Sequence, residues 1–287
     1  MNVIVPILVM LAPVFAGSSD LIKATKLYHA TDYDAALRVL TPTPESNRDP
    51  ETNLLIGKAF FMKGEFKKAS ESFERAVQQE PAKSEYNLWL GRAYGRRAET
   101  SSFVTAPGFA SKARQSFEKA VELDPNNGEA VNDLFEYYKE APGFMGGGLD
   151  KAQTLLARIK EIDPAEYHFG LAQLAEKRKE YGVAEQQLRK ALELAPRQVG
   201  RVIDLAKFLY KRGRYPESEQ LFQQAETIAP DDPKVLFARA KMYIQSKRNL
   251  DEARTLLRKY IESPLITPDN PPRQEARKLL NKADRGD

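Results

Sequence analysis

Seven prolines recur along the chain at a nearly regular interval: Pro50, Pro81, Pro125, Pro164, Pro196, Pro230 and Pro264. The steps between them are 31, 44, 39, 32, 34 and 34 residues. Each proline closes a stretch of helical periodicity, and several close nearly the same phrase. Ala-Val-Glu-Leu-Asp-Pro ends at Pro125, Ile-Lys-Glu-Ile-Asp-Pro at Pro164 and Ala-Leu-Glu-Leu-Ala-Pro at Pro196. Proline has no amide hydrogen to give a helix interior, so one at this spacing ends a helix and starts the turn to the next unit. A period near 34 residues that holds two helices is a solenoid period. A single helical hairpin cannot bury its apolar face alone, so successive units must stack.

The residues inside each period repeat as well. The second unit has Gly57, Phe60, Gly64, Phe66, Ala69, Phe73, Ala76 and Pro81. The third opens with Asn87, Leu90, Gly91 and Tyr94 and closes with Ala113, Phe117, Ala120 and Pro125. The fourth has Leu134, Tyr138, Ala152, Leu156 and Pro164; the fifth has Leu171, Ala172, Tyr181, Ala184, Leu188, Ala191 and Pro196. The sixth has Leu205, Ala206, Leu209, Gly213, Tyr215, Phe222, Ala225 and Pro230. A seventh with Ala240, Tyr243, Ala253 and Leu257, and a first with Ala24, Tyr33, Ala36 and Leu40, keep the pattern more loosely. This set of small and aromatic positions resembles the tetratricopeptide-repeat family over about 240 residues. The resemblance implies an all-α, right-handed superhelical solenoid of about seven helix-turn-helix units, with a concave groove lined mainly by first helices. Small residues at Gly57, Gly91, Ala172, Ala206 and Ala240 predict close approach of the paired helices, with Phe73, Phe117 and Phe222 filling the gaps. Asp49-Pro50 and Asp232-Pro233 predict helix starts, the aspartate capping and the proline in the first turn.

The ends read differently. Residues 1–16 carry no charged side chain, hold Pro6 and Pro13, and end in small residues before Gly17. They are expected to be a secretory signal cleaved after Ala16, which places the protein in a periplasm or outside the cell, with cytoplasmic residence as the alternative. The apolar run is short of the roughly 20 residues a membrane span requires, so no span is expected in the mature chain. The solenoid is expected over residues 17–264. Residues 265–287 form a capping tail, with Ala276, Leu279, Leu280 and Ala283 on one helix face and charged residues on the other.

Units three and four exceed the period, and both excesses are expected between the two helices of their hairpins, near residues 99–113 and 140–152. Both contain Ala-Pro-Gly-Phe, ending at Phe109 and at Phe144. Equivalent turns of adjacent repeats share one edge of a solenoid, so these two are expected to be neighbours. The pair also resembles a turn of uncharacterised exported bacterial tetratricopeptide proteins carrying an APG…GG…KA pattern. Two readings stand for the pair. In one, Phe109, Phe144 and Met145 form a partner surface beside the flexible Gly146, Gly147 and Gly148. In the other, Pro-Gly makes the turn, the Phe tucks under the hairpin and the glycines adopt positive φ.

Composition closes most other functions. There is no cysteine, which excludes disulfides, thiolate nucleophiles and cysteine-based metal sites, and His29 and His168 are too few and too far apart for a histidine site. The formal net charge of +4 is spread over interspersed basic and acidic residues, so no nucleic-acid partner is expected. Gly143 to Gly148 has phosphate-loop spacing, but Leu149-Asp150 stands where Lys-Ser/Thr is required. Asp124 to Glu129 lacks the downstream bidentate Glu of a calcium loop. No catalytic motif appears, and neither enzyme activity nor a cofactor or metal is expected.

Projection of the first helices onto the groove selects Lys58, Phe61, Met62, Leu88, Trp89, Arg92, Arg96, Asn132, Glu136, Phe169, Gln173, Lys207, Tyr210, Lys211, Phe237 and Lys241. Basic residues flank an acidic middle of Glu136, Glu140 and Glu176, which suits a peptide or helix of mixed charge. Trp89 is the leading anchor. The family's Lys and Asn clamp for C-terminal carboxylates is not reproduced in any three consecutive repeats. The expected function is a non-catalytic scaffold or adaptor that binds a protein or peptide in the groove. The alternative is an accessory or chaperone subunit of an envelope transport or c-type cytochrome assembly system, holding a client or small ligand.

Overall fold

The computed structural model describes residues 17–285; the expected signal segment lies outside them. Fifteen α-helices and no strand occur among the described residues. Seven antiparallel pairs succeed one another: α1 (Gly17–His29) with α2 (Tyr33–Leu40), α3 (Pro50–Met62) with α4 (Phe66–Gln79), and α5 (Ser84–Thr100) with α6 (Ala106–Leu123). Then come α7 (Gly128–Glu140) with α8 (Leu149–Ile162), α9 (Pro164–Lys177) with α10 (Tyr181–Leu194), α11 (Val199–Lys211) with α12 (Tyr215–Ile228), and α13 (Pro233–Gln245) with α14 (Leu250–Glu262). A single α15 (Arg273–Arg285) ends the array. Every helix packs on the next in sequence, the pattern of a solenoid.

The helix starts are set as the sequence predicts. Asp49 accepts from the Thr52 amide and Asp232 from the Lys234 amide, each ahead of a proline in the first helical turn. Asp163 does the same ahead of Pro164, accepting from the amides of Ala165 and Glu166. Each such cap is worth about 1 kcal/mol. First helices end in a shared way too. A residue with positive φ stands two places beyond α1, α3, α9, α11 and α13: Thr31, Gly64, Lys179, Gly213 and Lys247. This left-handed residue turns the chain back for the second helix. Units three and four lack it at that place, and they are the two with insertions.

Within a pair, small residues admit large ones. A Cβ on Gly57 would collide with the Phe73 ring, and one on Gly91 would lie 2.6 Å from Phe117. Phe73 and Phe222 are fully buried, each contributing about 2–3 kcal/mol by removal from water. Gly170, which the repeat pattern does not single out, plays this part between units. Its Cβ would meet Leu156 at 2.7 Å and Phe135 at 3.4 Å, both in the preceding pair.

The insertions differ from expectation. In unit three only residues 101–105 connect the helices; the rest of the excess lengthens α5 to 17 residues and α6 to 18, against 13 or 14 in most helices. Ala106-Pro107-Gly108-Phe109 is the first turn of α6, not a loop. In unit four the excess does lie between the helices. Pro142 is extended, residues 143–145 make a single 3-10 turn, and Gly146 and Gly148 take φ of 88° and 155°. The two segments are neighbours as expected. The Tyr137 hydroxyl shares its proton between the carbonyl oxygens of Ala110, at 3.0 Å, and Met145, at 2.8 Å.

The tail does more than cap. Ala276 and Ala283 are fully buried, with Leu279 and Leu280 half-buried beside them. The Arg273 guanidinium donates to the carbonyl oxygens of Ile261, at 3.0 Å, and Ser263, at 2.9 Å. It also donates to Thr31 Oγ1 at 2.6 Å, across 242 positions of sequence. A cavity of about 450 Å³ lies at this junction, between Thr31, Tyr33 and Lys63 on one side and Ile266, Asn270 and Arg277 on the other. The start of α15 thus comes beside the turn between α1 and α2, with one hydrogen bond and a shared cavity between them.

Candidate functional site

The predicted groove residues fall into two clusters and a few outliers. The first cluster is built on α3, α5 and α7. Trp89 on α5 is half-buried against the core around Phe73. The edge of Phe61 meets it at a ring separation of 5.6 Å. Two cations lie over its ring, Lys58 at 5.0 Å and Arg92 at 4.7 Å. Trp89 is therefore a platform that orients cations, each such contact being worth about 0.5–1 kcal/mol. Lys58 also pairs with Glu85 at 2.6 Å.

Arg92 crosses to the next unit. Its Nε donates to Asp133 at 2.5 Å and its Nη2 to Glu129 at 2.8 Å. Burial works against the Arg92 charge, but the two carboxylates outweigh it and its pKa is raised. Burial pushes the Asp133 carboxyl up, and Arg92 draws it back. Asp133 is not legible as a site residue from sequence, because its importance comes from a partner in another unit. A cleft of about 460 Å³ opens beside this pair and is lined by Phe61, Arg92, Arg96, Asp133, Glu136 and Tyr137, among others. Four of the predicted residues thus share one concavity carrying both charge signs. The acidic side is held by pairs of its own: Glu136 accepts from Lys139 at 2.7 Å, and Glu140 from Lys177 at 2.5 Å.

The second cluster lies on α11 and α13. Burial lowers the pKa of Lys207, and the neighbouring charges of Lys241 and Lys211 add to the lowering while Asp204 opposes it. Asp204 is pushed up to about 6 by burial, with Lys207 and Arg201 pulling it down. Arg201 donates to Glu166 across the unit boundary and lies over the Phe169 ring at 4.9 Å. Lys241 pairs loosely with Glu275 of α15 at 3.7 Å. This repeats the logic of the first cluster: an aromatic ring supports an arginine that bonds an acid of the adjacent unit.

Three predicted groove residues are core. Tyr210, Leu88 and Phe237 are buried. The Tyr210 hydroxyl bonds Ser246 Oγ at 2.7 Å, and its ring packs edge-on against Tyr215. All three pack into the hydrophobic clusters between helices, so these positions face neighbouring helices instead of the groove. Asn132 is half-buried on α7 and joins neither cluster. His168 bonds Gln187 through Nδ1 at 2.7 Å.

The edge residues also separate. Phe109 is half-buried, stacked on Tyr94 at 6.3 Å with the Arg97 guanidinium over it at 4.0 Å. Phe144 is 77% exposed, and Met145 is half-buried below it. Among the described residues no group of three or more acidic or histidine side chains is placed to hold a metal, and no helix is long and apolar enough to cross a membrane.

Three stretches of the sequence, residues 54–99, 110–127 and 175–242, match family models described as tetratricopeptide repeat. No curated protein matches the chain. Among solved structures the fold is similar to a tetratricopeptide-repeat protein from Parabacteroides merdae, at 15% identity and TM-score 0.58, covering 93% of this chain and 98% of the other. It is also similar to a thermophilic tetratricopeptide-repeat protein from Thermus thermophilus, at 22% identity and TM-score 0.52, covering 70% and 98%. Repeat motif, helix pairing and fold agree: the chain is an array of tetratricopeptide repeats, a protein-interaction fold that is generally non-enzymatic.

Proposed function

We propose that the protein is an exported, non-catalytic scaffold that binds a segment of a partner protein at the cleft between α5 and α7. One observation carries the reading. Arg92, supported by the Trp89 ring and tied to Asp133, lines a concavity that it shares with Arg96, Glu136 and the apolar edge of Phe61. A preorganised arginine beside apolar surface and opposite charge is the composition of a binding hot spot. It favours a peptide or helix that carries both charge signs. Lys207, Lys211 and Lys241 form a second, positive cluster on α11 and α13. Residues 1–16 support export, as an uncharged apolar segment that precedes the first helix.

The test is capture of partners by the chain from Gly17 onward. Arg92→Ala is expected to lose a partner retained by the unaltered chain, with the helical circular-dichroism signal preserved. Partner loss only on trimming residues 101–105 or 142–148 would move the site to the edge, and a recovered small molecule would overturn the scaffold reading. Fractionation of untagged protein tests export: cytoplasmic protein that retains Met1 refutes it.

A further inference from the structure

The most exposed large apolar side chains are not in the groove. Phe103 is 88% exposed, Val104 85% and Phe144 77%. They stand on the tips of the two inserted turns, and those turns are adjacent. Tyr137 bonds the start of α6 and residue 145 together, and the Arg114 side chain packs on Gly146, where a Cβ would meet it at 2.8 Å. The three side chains therefore project from one edge of the solenoid.

The charges around them are unbalanced. Arg97 on α5, Lys112 on α6 and Lys151 on α8 lie on the helices that flank these turns, and none pairs with a carboxylate among the described residues. Arg97 lies over Phe109 and donates to Ser70 Oγ at 2.8 Å, and Lys112 lies over Tyr94 at 5.1 Å. Lys151 donates to the Gly146 carbonyl oxygen at 2.9 Å and lies over Tyr138. Glu99 and Glu118 nearby are neutralised by Arg96 and Arg114. Asp150 and Glu74, which accepts from the Tyr94 hydroxyl at 2.6 Å, are the carboxylates left opposing three cations.

We propose that this edge is a peripheral docking site for an anionic lipid surface. Phe103, Val104 and Phe144 enter the interface between headgroups and acyl chains, and Arg97, Lys112 and Lys151 face the headgroup phosphates. Two observations favour a bilayer over a protein. No strand edge is present among the described residues to accept an extended peptide. The apolar patch is three side chains wide, far below the roughly 800 Å² per partner of a stable protein interface. Reversible bilayer attachment needs only a few interfacial anchors together with unpaired cations. The groove stays free in this arrangement, so docking at the edge is independent of partner binding there.

Co-sedimentation with vesicles tests the proposal, using the chain from Gly17 onward. Phosphatidylcholine vesicles with about one-third phosphatidylglycerol are expected to bring the protein down, and pure phosphatidylcholine to bring down far less. Raising the salt should weaken binding. Phe103→Ser with Phe144→Ser should lower it at least about tenfold. Both positions are exposed, so an unchanged thermal melt will show that the fold is intact. Lys112→Glu with Lys151→Glu should remove the preference for anionic lipid. The proposal is overturned if anionic vesicles leave the protein in solution, or if the double Phe variant binds them as well as the parent. Capture of a protein that needs Phe103 and Phe144, without vesicle binding, would also overturn it and assign the edge to a protein contact.

Discussion

The four residues Ala-Pro-Gly-Phe occur twice, one repeat apart, and fold in two ways. In unit three they are the first turn of α6: Pro107 sits where a helix needs no amide donor, and Phe109 lies down on Tyr94 beneath Arg97. In unit four the same residues leave the helix. Pro142 is extended and Phe144 points into solvent. The residues C-terminal to each copy decide between the two. Ala-Ser-Lys-Ala-Arg after Phe109 are sound helix formers, whereas Met-Gly-Gly-Gly after Phe144 exposes backbone and favours positive φ. A local motif thus specifies only that a helix can start; its neighbours decide whether one does.

That contrast can be tested at single residues. Gly147→Ala should be the most damaging change, at about 3 kcal/mol, because a Cβ there collides with the Ala141 carbonyl oxygen, a backbone atom that cannot step aside. Chemical denaturation should show it, and an unchanged midpoint would mean that unit four adopts the helical form of unit three. Phe109→Ala should cost about 2 kcal/mol, through lost stacking on Tyr94 and Arg97. Phe144→Ala should stay within about 0.5 kcal/mol. Equal effects for the two would erase the distinction between the copies. Tyr137→Phe, which removes the proton that joins them, should cost about 1 kcal/mol and speed hydrogen exchange near residues 143–148. The smallest effect is a gain. Gly108→Ala is expected to stabilise by about 0.5 kcal/mol, since nothing lies within 4 Å of the added carbon and the site is helical. Gly143→Ala, outside an α-helix, should bring no such gain.

Much of the architecture is legible in the proline interval and the small-to-large pairing. Gly57 against Phe73 and Gly91 against Phe117 are readable because both partners lie within one repeat, at positions that the period itself marks. What crosses repeats is harder. Asp133 looks like any surface acid until Arg92 of the preceding unit reaches it. Tyr210 counts as a groove residue on a helical projection, but the packing of α13 against α11 buries it. The contact of Arg273 with Thr31 depends on the curvature accumulated over seven pairs, which no local pattern encodes.

That last contact changes how the array should come apart. In an open stack of repeats the terminal units have one neighbour each, so they fray first and unfolding runs inward. Here the first pair is held from both sides, by α3 and by the tail that Arg273 fastens to the end of α14. Fraying of the first pair has to break the Arg273 contact as well as the packing on α3. The first and last units should therefore open together, and Arg273→Ala should speed hydrogen exchange in both α1 and α15.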